Sequence, residues 1–209
     1  MEQNIKRIIA ELKKQNILII AASKGRSVEQ IRKLYEQGIF HFGENYVQEA
    51  EKKIKALQDT KIVWHFIGHL QKNKANKAAA LCNAIDTVDS FELAKKLNEQ
   101  FQKQGKTGKV LIQVNISGEE QKQGCKPEEI ETLLENIQKL KNMVCEGFMI
   151  IGSREKSLEE FRRMKNLFEK YKKQYHLTRL SMGMSETYQE AIQQGATEVR
   201  LGRILFQKE

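Results

Sequence analysis

The sequence predicts a single (β/α)8 barrel of the TIM type, α/β in class, with an extra helix at its N-terminus. Three observations point there. Eight short apolar runs alternate with helical segments along the 209 residues. Every connection between runs is long enough to be a crossover, so the strands should pair in parallel. Eight such units favour closure of the sheet. An open doubly wound sheet is the alternative. The Gly-rich turn that would follow its first strand is absent, however, and the chain reads ASKGRS there. No Pro/Gly linker or break in composition divides the chain, so 1–209 reads as one domain. Residues 1–15 then form a helix packed on the barrel, filling the gap left by the short tail after strand eight.

Each element has its own signal. Ile5, Ile8, Ile9 and Leu12 fall on one helical face. Residues 16–22 (NILIIAA) are a continuous branched run, as a strand covered on both faces requires. A helix over 28–37 stops at Gly38, and a short strand follows at 39–42. Helix 46–57, strand 62–67, helix 72–81 and strand 84–88 come next. Ser90 is placed as the N-cap of a helix ending near Gly105. Strand 109–115 precedes a helix opened by Pro127. Strand 144–149 is followed by a helix capped by Ser157, strand 179–181, a helix from Glu186 to Gly195 and strand 198–201.

Composition narrows the function. Lys+Arg is 36 against 27 Asp+Glu, a net charge of +9, with 40% hydrophobic and 30% charged residues, ordinary for a globular chain. Disorder does not fit this aliphatic content. The longest apolar run, 17–22, is far short of the roughly 20 residues of a membrane helix. The N-terminus lacks the apolar stretch of a signal peptide. Three scattered cysteines, Cys82, Cys125 and Cys145, make neither a disulfide framework nor a zinc site, so a reducing, cytoplasmic location is expected. Residues 1–80 hold 15 basic and 8 acidic groups, which suits nucleic acid or a small anion. Lys72, Lys74 and Lys77 are not interleaved with aromatics, so a solvated helix face is the preferred reading and no nucleic-acid partner is expected. His41, His65, His69 and His176 lack metal-ligand spacing and read as structural, so no metal is expected.

In such a barrel the chemistry lies at the C-terminal ends of the strands. Lys24 directly follows strand one. Pointed into the mouth it would be a desolvated nucleophile; otherwise it curls out to water. Ser181 and Gly183, between strand seven and its helix, bring hydroxyl and backbone donors together, and Gly202 after strand eight adds more. That suits a phosphate, although Gly and Ser are also ordinary turn residues. Arg200 stands inside an apolar strand and needs an acceptor, either a neighbouring carboxylate or a ligand. Met149, Met182 and Met184 either line a flat apolar ligand or fill core gaps.

The stretches AASKGRSVEQI, HFGENYVQE, WHFIGHLQKNK, SMGMSETYQEAI and GATEVRLGRILF occur in that order over nearly the whole chain. Together they resemble the pyridoxal-phosphate homeostasis proteins, barrels similar to the N-terminal domain of bacterial alanine racemase and to fold-type III decarboxylases. The resemblance implies a Schiff base between pyridoxal 5′-phosphate and Lys24. It implies that Ser181, with Met182 and Gly183, and the Gly202–Arg203 backbone hold the phosphate. It sets Arg200 against the pyridine nitrogen and Asn45 and Met149 near the ring. A guanidinium does not give up its proton, so the ring would be a poor electron sink. The related racemases take a second base from an extra domain that this sequence does not show. The resemblance therefore implies a monomeric carrier and buffer of the cofactor, active in vitamin B6 and amino-acid balance. Amino acids or pyridoxal-phosphate-dependent apoenzymes would be its acceptors; a weak racemase or decarboxylase is the alternative. Three positions depart from the pattern. Arg203 replaces a small hydroxyl residue, leaving its guanidinium to pair with the phosphate or to point away; His69 replaces proline and Gln207 glycine.

Overall fold

Short β-branched runs bounded by Gly and polar turns give the strands, and amphipathic stretches between them give the helices. The computed structural model describes residues 2–119, 121–153 and 155–206; the substitution noted at Gln207 lies outside them. The order is α1 (Glu2–Lys14), β1 (Leu18–Ala22), α2 (Val28–Glu36), β2 (His41–Glu44), α3 (Val47–Ala56), β3 (Val63–Phe66), α4 (Ala75–Leu81), β4 (Ala84–Val88) and α5 (Phe91–Lys103). Then come β5 (Gly108–Gln113), α6 (Ile130–Gln138), β6 (Met143–Met149), α7 (Ser157–Tyr175), β7 (Arg179–Met184), α8 (Tyr188–Gln193) and β8 (Glu198–Leu201). Single 3-10 turns, Lys72–Lys74 and Pro127–Glu129, lead into α4 and α6.

All eight strands pair in parallel as a closed barrel. The seam is β1 against β8, with Ile20 opposite Arg200 and Ala21 opposite Leu201, which excludes the open sheet. Ile5, Ile8, Ile9 and Leu12 of α1 are buried in one cluster with Ile19, Phe42, Leu205 and Phe206. The N-terminal helix thus covers the seam beside the end of β8, and each such side chain contributes about 1.5–3 kcal/mol. Among the described residues no helix is long and apolar enough to cross a membrane.

Four local expectations differ. β2 starts two residues later than expected, because Gly38 (φ +87) still closes α2 and Ile39 turns into the helix-facing core. β7 runs to Met184 because a register shift between Ser181 and Met184 carries it past the expected end. Ser157 is the first residue of α7, and its hydroxyl donates to Glu190 Oε2 at 2.6 Å instead of capping. Ser90 sits at the N-cap of α5, but its hydroxyl bonds to Asp89 Oδ1. The unheralded cap is Ser27, which forms a full capping box with Gln30.

Side chains alternate between the helix-facing core and the barrel lumen. Trp64, Phe66, Val110, Ile112, Phe148, Leu180, Met182, Val199 and Leu201 face the helices, so Ile20, Leu111, Met149, Ser181 and Arg200 face inward. Toward the N-terminal ends the lumen is charged. Arg179 donates from Nε and Nη2 to Glu198 at 2.6 and 3.0 Å and from Nη1 to Glu146 at 3.1 Å, with Asp86 at 3.5 Å. Asp86 Oδ2 lies 2.8 Å from His65 Nδ1, and His65 Nε2 lies 2.9 Å from His41 Nδ1. The three thiols are each pushed up to about 12 by burial.

A buried ion cluster is costly to break from one side. Arg179→Met should lower the free energy of unfolding by about 3 kcal/mol, read from urea denaturation, because Asp86 and Glu198 lose this cation and Glu146 keeps only Lys109. Acid titration gives a second test. Burial, with His65 beside it, pushes the His41 imidazole from an ordinary 6.5 down to about 4. As pH falls, the unfolded chain takes this proton first and the native chain only near pH 4. The His41 contribution to stability is therefore complete above pH 6.5 and lost between 6.5 and 4, and His41→Gln should flatten that part of the stability profile.

Candidate functional site

The C-terminal ends of the strands form the mouth. β1 ends at Ala22, and Ser23 and Lys24 follow at once. Lys24 is exposed, its Nζ 5.1 Å from the centre of the Tyr46 ring.

The backbone around Lys24 is held from below. Lys53 of α3, nearly buried, donates to Ser23 O at 2.6 Å, Glu44 Oε1 at 2.7 Å and Glu49 Oε1 at 2.6 Å. Glu49 Oε1 also accepts the Gly25 N–H at 2.5 Å, and Glu44 Oε1 accepts the Ser23 hydroxyl at 2.6 Å. Burial raises the Glu44 carboxyl above its usual range, against the pull of Lys53 and Ser23. Burial also pushes Glu49 up, but the bonds from Lys53 and Gly25 outweigh it and hold that carboxyl low.

Asn45, after β2, and Gly68 with His69, after β3, line one side of the mouth. A Cβ on Gly68 would collide with the Asn45 backbone, so glycine lets these two strand ends close up. A 230 Å³ cavity there is lined by Asn45, Gly68, His69, Gln113, Lys122 and Ile151, among others. His69 is exposed.

Opposite, β7 and β8 build a cradle. The N–H groups of Gly202 and Ile204 converge on the Ser185 hydroxyl at 3.2 and 3.4 Å. A Cβ on Gly202 would meet nothing closer than Ala22, at 3.6 Å, so protein packing does not demand glycine here. Such a glycine leaves free approach to the amides. Deeper in the lumen, Arg200 is buried and donates from Nη1 to Ser181 Oγ and from Nη2 to Ile150 O, each at 2.6 Å. Its acceptors are thus a hydroxyl and a carbonyl, not the neighbouring carboxylate.

Lys24, Asn45, Gly202 and, below them, Met149 and Arg200 therefore share one mouth and lumen. Other expected residues stand elsewhere. Ser181 is fully buried, and its hydroxyl oxygen accepts from Arg200. The hydroxyl at the Gly202 amides is that of Ser185, the second serine of S-M-G-M-S, because β7 is three residues longer than expected. Met182 packs its side chain among the helix-facing residues. Gly183 (φ +89) lies against Ala191 and Tyr188, where a Cβ would not fit. Arg203 is exposed, and its guanidinium is paired with Glu186 at 2.7 Å. Among the described residues no three His, Cys, Asp or Glu side chains cluster to hold a metal.

Residues 1–209 match the family model of the alanine racemase N-terminal domain. The pyridoxal phosphate homeostasis protein of Pasteurella multocida is 37% identical over 217 residues, covering 99% of this chain and 93% of that one. The chain belongs to the pyridoxal phosphate homeostasis protein family. The human member is 39% identical over 207 residues, covering 90% of this chain and 75% of that one. Among solved structures, PipY of Synechococcus elongatus, determined without PLP, superposes with a TM-score of 0.90 at 33% identity, covering 97% of this chain and 99% of that chain. PipY with PLP bound gives a TM-score of 0.87 at 32% identity, with the same coverage. Alanine racemase of Clostridium difficile shares the fold alone, at 17% identity and a TM-score of 0.79, covering 99% of this chain and 60% of that one.

Against the family motifs, sequence reading missed the support beneath Lys24. Glu44, Glu49 and Lys53 lie within HFGENYVQEAEKK, and an i,i+4 Glu–Lys pair on a helix ordinarily marks a solvated face. Lys53 is turned inward instead, because Glu44 at the end of β2 offers it a buried partner.

Proposed function

We propose that this protein binds pyridoxal 5′-phosphate reversibly at the barrel mouth and serves as a carrier and buffer of that cofactor. One observation carries the reading: an exposed lysine amine follows β1 at the seam where β8 ends and the Gly202 and Ile204 amides converge on the Ser185 hydroxyl. The full-length likeness to homeostasis proteins, and to PipY determined with PLP bound, supports it.

The residues present fit the group. Gly202 N–H, Ile204 N–H and the Ser185 hydroxyl would hold the phosphate, three donors for a dianion. Lys24 would be the point of covalent attachment, and the bound cofactor supplies there an aldehyde carbon that condenses with amines. Asn45 and Met149 would flank the ring. Ser181 orients Arg200 by accepting from it; Met182, Gly183 and Arg203 contribute through the course of the backbone.

Arg200 argues for a carrier over the alternative of a racemase or decarboxylase. Its guanidinium donates a hydrogen bond and keeps its proton. Placed against the ring nitrogen, it leaves that nitrogen unprotonated and the ring a weak electron sink. Burial, which lowers the Arg200 guanidinium from its usual range, is opposed by Glu198 and Asp86 below. An amino acid or an apoenzyme lysine would take the cofactor by displacing the Lys24 amine.

Three measurements test this reading. The purified protein loaded with pyridoxal phosphate should be yellow, and borohydride followed by peptide mapping should fix the pyridoxyl group on Lys24. Lys24→Ala should lose the band, whereas a label scattered over surface lysines overturns the assignment. Ser185→Ala should weaken pyridoxal phosphate by about tenfold and leave unphosphorylated pyridoxal unaffected, since a hydrogen bond to a charged group is removed. Alanine in deuterated water should show no exchange of its α-proton on the loaded protein; exchange that depends on Lys24 would establish the enzyme instead.

A further inference from the structure

Tyr46, Glu49 and Lys53 stand at i, i+3 and i+7, so they share one face of the α3 segment. That single face meets three consecutive residues of the turn after β1. Lys53 takes the Ser23 carbonyl, Tyr46 lies under the Lys24 ammonium, and Glu49 takes the Gly25 amide. Glu44 closes the set from β2 by holding both Lys53 and the Ser23 hydroxyl. Lys24 and Gly25 are exposed, with Gly25 at φ +68 and no atom within 4 Å of where its Cβ would be. Ser23 is packed and bonded through its backbone to Gly43 and Arg26, and polar bonds from α3 add to these on both sides of Lys24.

We propose that Glu49 and Lys53 are positioning residues for Lys24, and that Tyr46 is the resting place of its arm. Two charged groups fix the hinge of the lysine on both sides of its Cα. The aromatic face holds the protonated amine. Condensation joins the unprotonated Nζ to an aldehyde carbon, and the aldehyde oxygen leaves as water. The ammonium must therefore first leave the ring and give a proton to solvent. Fixing the hinge and holding the arm then act in opposite directions: one speeds attachment, the other restrains it. This inference rests on the proposed role of Lys24 as the attachment point.

Lys53→Met leaves Glu44 buried with no cation and can cost the fold, so the test uses Glu49→Gln and Tyr46→Leu, both at partly exposed positions. Loading with pyridoxal phosphate is followed by absorbance, with borohydride trapping and peptide mass spectrometry. Glu49→Gln should load about tenfold more slowly, at an unchanged melting temperature, with a smaller share of label on Lys24. Tyr46→Leu should load about threefold faster near neutral pH, and Tyr46→Phe should match the parent chain. Parent rates in both Glu49→Gln and Tyr46→Leu overturn the proposal. The cofactor-free chain gives a separate reading by reductive methylation with formaldehyde, scored as Lys24 against exposed Lys55. A raised Lys24 share in Tyr46→Leu, but not in Tyr46→Phe, supports the resting place, and an unchanged share refutes it. A parent chain that never loads sinks the cofactor reading alone, because the methylation result stands apart from it.

Discussion

The pairing of β8 with β1 is the constraint on which the rest depends. Closure in parallel register sets Ala21 opposite Leu201 and so brings Gly202 alongside the end of β1. A lysine and an amide cradle that are almost 180 residues apart in sequence become neighbours through this one ladder. The same seam explains α1. The four apolar side chains of α1 pack over its outer face, against residues of β1 and β8.

The lumen is filled in two chemically different ways. Ile20, Leu111 and Met149 are apolar, but the N-terminal end holds an ion cluster around Arg179. A charge there is tolerable only because each carboxylate finds a cation or an imidazole. Glu198 and Arg200 are alternate residues of β8, so anchoring Glu198 to Arg179 also fixes where Arg200 stands. The buried cluster thus positions the Arg200 guanidinium in the lumen below the mouth.

Much of this was legible in sequence. Eight strand–helix units, the stop at Gly38 and the amphipathic face of α1 follow from local periodicity, which needs no tertiary knowledge. The position of Lys24 and Gly202 at the mouth was legible, because each follows an apolar run that reads as a strand. Less was legible where long-range partners decide. Ser181 and Ser185 look alike in S-M-G-M-S, and only the register of β7 against β8 tells which faces Arg200 and which faces the cradle. Arg179 at a strand start and Lys53 on a helix look like surface charges, and only closure of the barrel reveals the carboxylates waiting for them. Ser157 carries a cap signature, but Glu190 on α8 competes for its hydroxyl and wins.

The state of the cysteines bears on what an aldehyde meets here. Thiolates add readily to aldehydes, so an accessible one would compete with an amine for the same carbon. In this chain burial keeps all three sulfurs protonated at neutral pH, their thiols raised to about 12. The chemistry on offer to an electrophile is then left to nitrogen. An adduct with nitrogen reverses by hydrolysis or by exchange with another amine, which suits release of the cargo better than its retention.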